Sequence, residues 1–274
     1  MWARLYACVA LAILMAAAML ATGPVALTIS HNDIKMMNIT TVSASGSFNF
    51  NILNMIREFE WHVNKVFQYC KDDDTWAFTF FDISSLRREE TQSTVRTAVA
   101  ATLFLLAYHI TGNLTYLRWA RKTLDFFHAF CLHPSGLTYG FFNLTSNQAY
   151  GNHMVGGQNI WIRALVYAYD LLRNATYLNW AHDAFNAFYR YDINKTVWRM
   201  YRTVNLTTLQ HVPQPCYGDA QYHYVYGHYW TTLAWLFRLT GNKTFLITAL
   251  RLASGYWDVR NKTTNLALHL VDYS

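Results

Sequence analysis

The chain has 274 residues, 53% of them hydrophobic and only 14% charged, a balance that excludes intrinsic disorder and leaves material for a large core. Its net charge of +6 is not gathered into a Lys/Arg stripe and no nucleic-acid module is present, so nucleic acid is excluded and the positive balance leans toward a polyanion such as an acidic polysaccharide. Aromatic residues reach 17%; most are expected in a helical core, and some could offer flat faces to sugar rings.

Residues 1–30 read as a signal peptide or membrane anchor. Arg4 precedes an uncharged apolar run over residues 5–21, long for a signal core and adequate for a span. With Arg4 inside, the bulk of the chain lies outside the cell. Asn-x-Thr sequons begin at Asn38, Asn113, Asn143, Asn174, Asn194, Asn205, Asn242 and Asn261, which fits a glycosylated surface protein. Cys8 lies in the anchor; Cys70, Cys131 and Cys216 allow one disulfide, of unspecified pairing, and an odd thiol. No Cys-x-x-Cys or His/Cys cluster has zinc spacing, and neither metal nor other cofactor is expected.

Residues 31–47, rich in Ser, Thr and Asn, read as a linker ahead of a single domain over residues 48–274. Apolar positions at helical spacing predict an amphipathic helix over residues 50–68, followed by a loop with a strand-like aromatic piece at 76–81. Three helix pairs follow: 94–110 with 114–130, 159–172 with 176–189, and 222–239 with 244–257. Each pair is joined by the same kind of turn: Thr111-Gly112-Asn113-Leu114-Thr115, Arg173-Asn174-Ala175-Thr176, and Thr240-Gly241-Asn242-Lys243-Thr244. A residue tolerant of the left-handed conformation ends one helix and an Asn caps the next. The first helix of each pair is apolar nearly all round and the second is amphipathic, so the first is inner and the second outer. The expected fold is all-α, an incomplete α/α toroid of about three to four helical hairpins.

The turns within pairs gather at one end. The longer connections, 70–93, 131–158 and 190–221, gather at the other, above the N-termini of the inner helices, where function is expected. The stretch from Tyr217 to Tyr229 concentrates tyrosines with His223, His228 and Asp219. Hydrolysis of a glycosidic bond needs two placed carboxylates. Few acids lie on this face, among them Asp82, Glu89, Asp192 and Asp219; Asp219, flanked by Gly and aromatics at a helix entry, is the best single acid and equally a helix cap. The Tyr/His wealth suits proton abstraction better.

Gly157-Gln158 through Phe188, Trp198-Arg199-Met200-Tyr201, and Tyr222-His223 through Trp257 resemble the C-terminal helical domain of the glucuronyl C5-epimerases. The hairpin pattern is also similar to that of the six-hairpin glycosidases. His228 stands two positions later than the second His of the epimerase motif. The resemblance implies an extracellular protein acting on a uronic-acid-containing glycan, with Tyr222, His223, Tyr226 or Tyr201 exchanging the C5 proton. Trp198 would stack a sugar, Arg199 or Arg202 would hold its carboxylate, and His153, Gln158 and His228 would line the same face. The competing expectation is a non-catalytic, glycosylated surface or glycan-binding protein on the same scaffold.

Overall fold

A computed structural model describes residues 39–43, 46–50, 52–79, 81–82, 87–88, 91–212, 221–257 and 270–271. The segment expected to export or anchor the chain, Asp219, Cys216, and the sequons at Asn38 and Asn261 lie outside the described residues. The described residues open with a short antiparallel hairpin, β1 (Ile39–Ser43) with β2 (Gly46–Phe50), which overlaps the stretch that composition reads as linker. The β-branched run Ile39-Thr40-Thr41-Val42 favours extended pairing over coil.

Among the described residues seven α-helices then alternate between two layers: α1 (Ile52–Cys70), α2 (Thr94–Thr111), α3 (Leu114–Phe130), α4 (Val155–Leu172), α5 (Ala175–Ala187), α6 (His223–Thr240) and α7 (Lys243–Trp257). Helices α2, α4 and α6 pack side by side as the inner layer, while α3, α5 and α7 each return along the helix before them. Among the described residues α2 alone is long and apolar enough to cross a membrane, yet one face, with Ala98, Ala101, Phe104 and Leu105, is buried in the core.

The three hairpin turns share one construction. Gly112 and Gly241 each sit at φ +69°, and Arg173 adopts the same left-handed region at +53°. Each donates its N–H to a carbonyl one turn back, at Tyr108, Phe237 and Tyr169 respectively. The following Asn then accepts from the main-chain N–H of Thr115, Thr176 or Thr244 at 2.9–3.0 Å, capping the outer helix.

Aromatic rings fasten the two layers. Phe67 of α1 stacks on Trp119 of α3 with centroids 3.7 Å apart, and Phe104 of α2 meets Trp119 edge-on. Trp161 of α4 stacks on Phe127 of α3 at 4.2 Å, and Phe188 on Tyr229 of α6 at 4.0 Å. Such offset and edge contacts add to the free energy of burying large rings. Cys131 is fully buried and free among the described residues, and burial pushes its thiol pKa up.

Two details differ from the sequence reading. Helix α4 begins at Val155, four residues earlier than expected, because Gly156 and Gly157 lie inside its first turn. Gly157 is there because a Cβ would crowd Val95 of α2. The outer helix α5 ends at Ala187 and passes into a π-helical turn, Phe188–Asp192, rather than continuing to Tyr189.

Gly255 of α7 is the tightest approach: a Cβ there would lie 2.2 Å from the carbonyl oxygen of Trp198, whose own φ is +53°. Gly112 has open space around it and only its positive φ to satisfy. Gly112→Ala is therefore expected to cost about 1 kcal/mol, and Gly255→Ala about 1–3 kcal/mol or more. Denaturant unfolding of the two variants checks that order; equal losses would contradict it.

Candidate functional site

The long connections meet above the N-termini of the inner helices and are laced together there by short antiparallel pairings. Strand β3 (Phe81–Asp82) pairs with β4 (Arg87–Arg88), and β5 (Thr91–Ser93) pairs with β6 (Phe141–Asn143), which pairs with β7 (Gln148–Tyr150). β8 (His153–Met154) pairs with β11 (Thr203–Val204), and β9 (Ile193–Asn194) with β10 (Arg199–Met200). The entry to α4 is thus tied to the connection that leaves α5, with Val155 N–H donating to the Arg202 carbonyl at 3.2 Å.

Beneath these strands lies a buried polar cluster. His153 is fully buried; its Nδ1 lies 2.8 Å from the Thr138 carbonyl and its Nε2 3.2 Å from Oδ2 of Asp192. A carbonyl can only accept, so Nδ1 carries a proton and donates. The contact between Nε2 and Oδ2 then requires one further proton shared by the pair, which is neutral overall whichever atom holds it. That is how two ionisable groups avoid the cost of an isolated buried charge. Burial pushes the Asp192 carboxyl above its usual range, opposed by the attraction and hydrogen bond of His153. Its Oδ1 has no hydrogen-bond partner among the described residues. The π-helical turn supplies the geometry, since its one extra residue per turn carries Asp192 inward at the end of the outer helix.

Tyr229 of α6 completes the cluster. It is fully buried, and its hydroxyl donates to the Val155 carbonyl at 2.8 Å. Its pKa is driven well up by burial and then by the nearby Asp192 carboxyl, against a hydrogen bond from the Asn159 main chain. Gln158 is equally enclosed: it accepts from Thr138 N–H at 2.9 Å and donates to the carbonyls of Gly136 and Ala184 at 3.1 and 2.8 Å.

The expected site residues therefore separate. His153 and Gln158, expected to touch a ligand, are fully buried: His153 is held by the Thr138 carbonyl and the Asp192 side chain, and Gln158 by the main chain of Gly136, Thr138 and Ala184. Trp198 packs on the outer layer, with the Arg251 guanidinium 4.5 Å over its ring and Tyr189 beside it. Tyr201 stacks on His211 at 4.5 Å. Arg199 and Arg202 are half-buried in the same connection. Tyr222 lies in β12 (Gln221–Tyr222), paired with β13 (Leu270–Val271), and His223, Tyr226 and His228 occupy the first turns of α6; their side chains lie outside those described.

The residues that open toward the centre of the ring lie elsewhere. Along the first four turns of α4 every position is buried except Gly156, Ile160, Arg163 and Tyr167. Their spacing of four, three and four is a single helical stripe. Gln158 marks the side toward α5, Gly157 the side toward α2, and Tyr229 over Val155 the side toward α6, so the stripe faces the ring axis. The Arg163 guanidinium, half-buried on that stripe, has its pKa lowered by desolvation. Below it Tyr167 meets His109 of α2 at 2.9 Å, and Asp170 accepts from Trp235 and Arg238 of α6. Burial and the Asp170 charge raise the Tyr167 pKa. Asp170 is the only acidic residue in the three inner helices, and it sits in the last turn of α4, at the end away from the mouth. A lone Arg in an apolar helical run was the sequence signal for this stripe.

No protein-family model and no curated protein sequence matches the chain. Its backbone is similar to solved structures of carbohydrate-active enzymes. They include cellobiose 2-epimerase from Bacillus thermoamylovorans, at TM-score 0.68 and 14% identity, where 81% of this chain covers 60% of that one. A D-mannose isomerase superposes at TM-score 0.69 and 13% identity, with 81% and 58% covered. The unsaturated glucuronyl hydrolase of Bacillus sp. GL1, responsible for glycosaminoglycan degradation, superposes at 0.57 and 14%, with 79% and 60% covered. These are six-hairpin α/α toroids, and the chain has their fold over about 60% of their length.

The buried pair generates a pH-dependent expectation. His153→Ala removes the partner that holds Asp192 down, so the variant's folded carboxyl binds its proton more tightly still. At neutral pH the loss should be about 3–5 kcal/mol, as for other broken buried pairs. As pH falls through the folded Asp192 pKa the carboxylate is neutralised, and the deficit against wild type should narrow. Paired unfolding curves at neutral and mildly acidic pH check this; a deficit that widens on acidification would contradict the shared-proton pair.

Proposed function

We propose that the chain is a glycan-acting protein that takes an acidic, uronate-bearing polysaccharide along the inner wall of its open ring. The observation that carries this reading is the wall itself. It presents Arg163 between Ile160 and Tyr167 and has no acidic residue on any inner helix before Asp170. A partly desolvated guanidinium gains more from a carboxylate than an exposed one does, and it can bind both carboxylate oxygens. Gly156, about two turns nearer the mouth, lets a sugar approach the helix without meeting a side chain. The paired carboxylates of a glycosidase are lacking on this wall, whereas a placed cation beside a uronate favours chemistry at C5. The neighbours in fold act on sugars, which agrees with the reading.

The step is an epimerisation. A base removes the C5 proton, the electron pair is held as an enolate by the carboxylate under Arg163, and an acid returns a proton to the opposite face. Tyr222, His223 and Tyr226, at the start of α6, are the proposed exchange groups, with Asp219, Tyr201, Arg199, Arg202 and His228 in supporting roles. The protein works outside the cell on this reading, delivered or anchored by residues 1–30 and carrying N-glycans.

A second reading, a non-catalytic glycan-binding surface protein, is favoured by one feature. Asn194 and Asn205 are sequon residues in the connection at the mouth. Each accepts from the N–H of its own sequon Thr, at 3.0 Å for Thr196 and 2.8 Å for Thr207. Glycans there would crowd long substrates.

The full chain from a secretory host should bind glucuronate-containing polysaccharides with an affinity that falls as salt rises. Arg163→Gln should weaken binding about tenfold to a hundredfold, the worth of a charged hydrogen bond. In deuterated water, deuterium should enter C5 and fail to do so in Tyr222→Phe or Tyr226→Phe. Binding without exchange would select the second reading, and neither binding nor exchange would overturn both. Treatment with an N-glycan-removing enzyme should lower the mass of the secreted protein.

A further inference from the structure

We propose that an N-glycan on Asn143 docks on the ring of Phe141, so that the β6–β7 hairpin carries a modification site together with a platform for its first sugar. Side chains alternate across a strand, so Phe141 and Asn143 share one face of the hairpin, and their cross-strand partners Tyr150 and Gln148 share it with them. The other face is turned to the core: Phe142 is fully buried and meets Phe126 of α3 edge-on at 5.2 Å. The outward face has the polar residues Asn143 and Gln148, with Ser93 of β5 opposite Phe141. Among them stand two large exposed rings, Phe141 at 40% and Tyr150 at 41%.

These rings are held in place before any sugar arrives. Tyr150 stacks beside Phe141, with centroids 5.7 Å apart and planes at 29°. Gly151, at φ +82°, passes against the Phe141 ring, where a Cβ would come to 3.0 Å from Cδ2. Thr94 N–H donates to the Gly140 carbonyl at 3.2 Å, which ties the base of the hairpin to α2. A sugar laid on a surface fixed in this way orders no loop, so little of the contact is spent on immobilising the protein.

The sequence on that face names the occupant. Asn143-Leu144-Thr145 is a sequon, and of the eight it is the one with an aromatic residue two positions before its Asn. Two residues along a strand span about 7 Å, which an asparagine side chain and the sugar linked to it can bridge. Tyr150 is the diagonal neighbour of Asn143, within reach on the same face. The amide is also set differently from the rest. In the other described sequons the Asn oxygen accepts from the N–H of its own Thr, whereas Oδ1 of Asn143 accepts from Ser146 N–H at 2.9 Å, one residue further on. That bond uses the oxygen and spares Nδ2, the atom that takes the sugar, so the turn survives glycosylation. A β-linked N-acetylglucosamine has a face of axial C–H groups, which suits the negative face of an aromatic ring. Docking of this kind rests on the extracellular reading, since N-glycans are added along the secretory route.

The test joins glycopeptide mass spectrometry to thermal unfolding of the full chain secreted from a eukaryotic host. Asn143 should be occupied. Thr145→Val removes the sequon and should lower Tm by about 2–4 °C, the shift that one ring contact makes in a domain of this size. Phe141→Val removes the ring, keeps the strand preference and should lower Tm as well. The double variant should lose less than the sum of the two, because each change removes the same contact. Trimming with an endoglycosidase that leaves one N-acetylglucosamine on each Asn should preserve this coupling, and Thr115→Val, at a sequon without a ring, should show none with Phe141→Val. Strictly additive losses, or an empty Asn143 beside other occupied sequons, would overturn the docking alone. Sequons that are all empty would overturn the extracellular reading together with it. Free polysaccharide that binds the glycosylated chain and loses that binding in Phe141→Val would give the ring to an external sugar, and so overturn the docking too.

Discussion

The structure depends on one geometric demand: an inner helix must be enclosed by neighbours on all sides but one. Helix α4 meets it with α2 and α6 at its flanks and α3 and α5 behind, leaving the stripe of Gly156, Ile160, Arg163 and Tyr167. Everything else serves that enclosure. The outer helices can return along the inner ones only if the chain reverses tightly, which is why each hairpin uses a left-handed residue and an Asn cap. Where the reversal uses Arg173 instead of glycine, the chain accepts the strain of a side chain at φ +53° and anchors it to Asp170 at 2.9 Å.

The opposite end of the array has the harder task, because its connections are long and must not float. A buried proton-sharing pair and a fully satisfied glutamine solve it. His153 and Asp192 join the two connections that flank α4 and α5, and Gln158 ties α4 to the Thr138 loop and to the end of α5. Oδ1 of Asp192 has no partner among the described residues. An apolar pair of equal volume could be more stable, but it would not fix register, since hydrocarbon contacts have no direction. Tyr229 extends the same register-setting to α6 through its bond to Val155.

Much of the fold was legible in the sequence because its signals are local. Apolar periodicity gave each helix, and the Gly/Asn–Asn–Thr turn marked each hairpin, since both depend on residues within one or two turns of each other. The misplaced boundaries have local causes as well: Gly156-Gly157 reads as a breaker until α2 is seen lying against it, and a π-helical turn has no distinct composition. The candidate site was harder because it depends on direction. His153 and Gln158 have the residue types of a binding face, and only the tertiary structure turns them inward onto Thr138, Gly136 and Ala184. Trp198 has the chemistry of a sugar platform, yet its ring is covered by Arg251 of α7. Arg163 is inconspicuous in the sequence because a single cation inside an apolar helix reads as an interruption until the burial of its neighbours shows which way it faces.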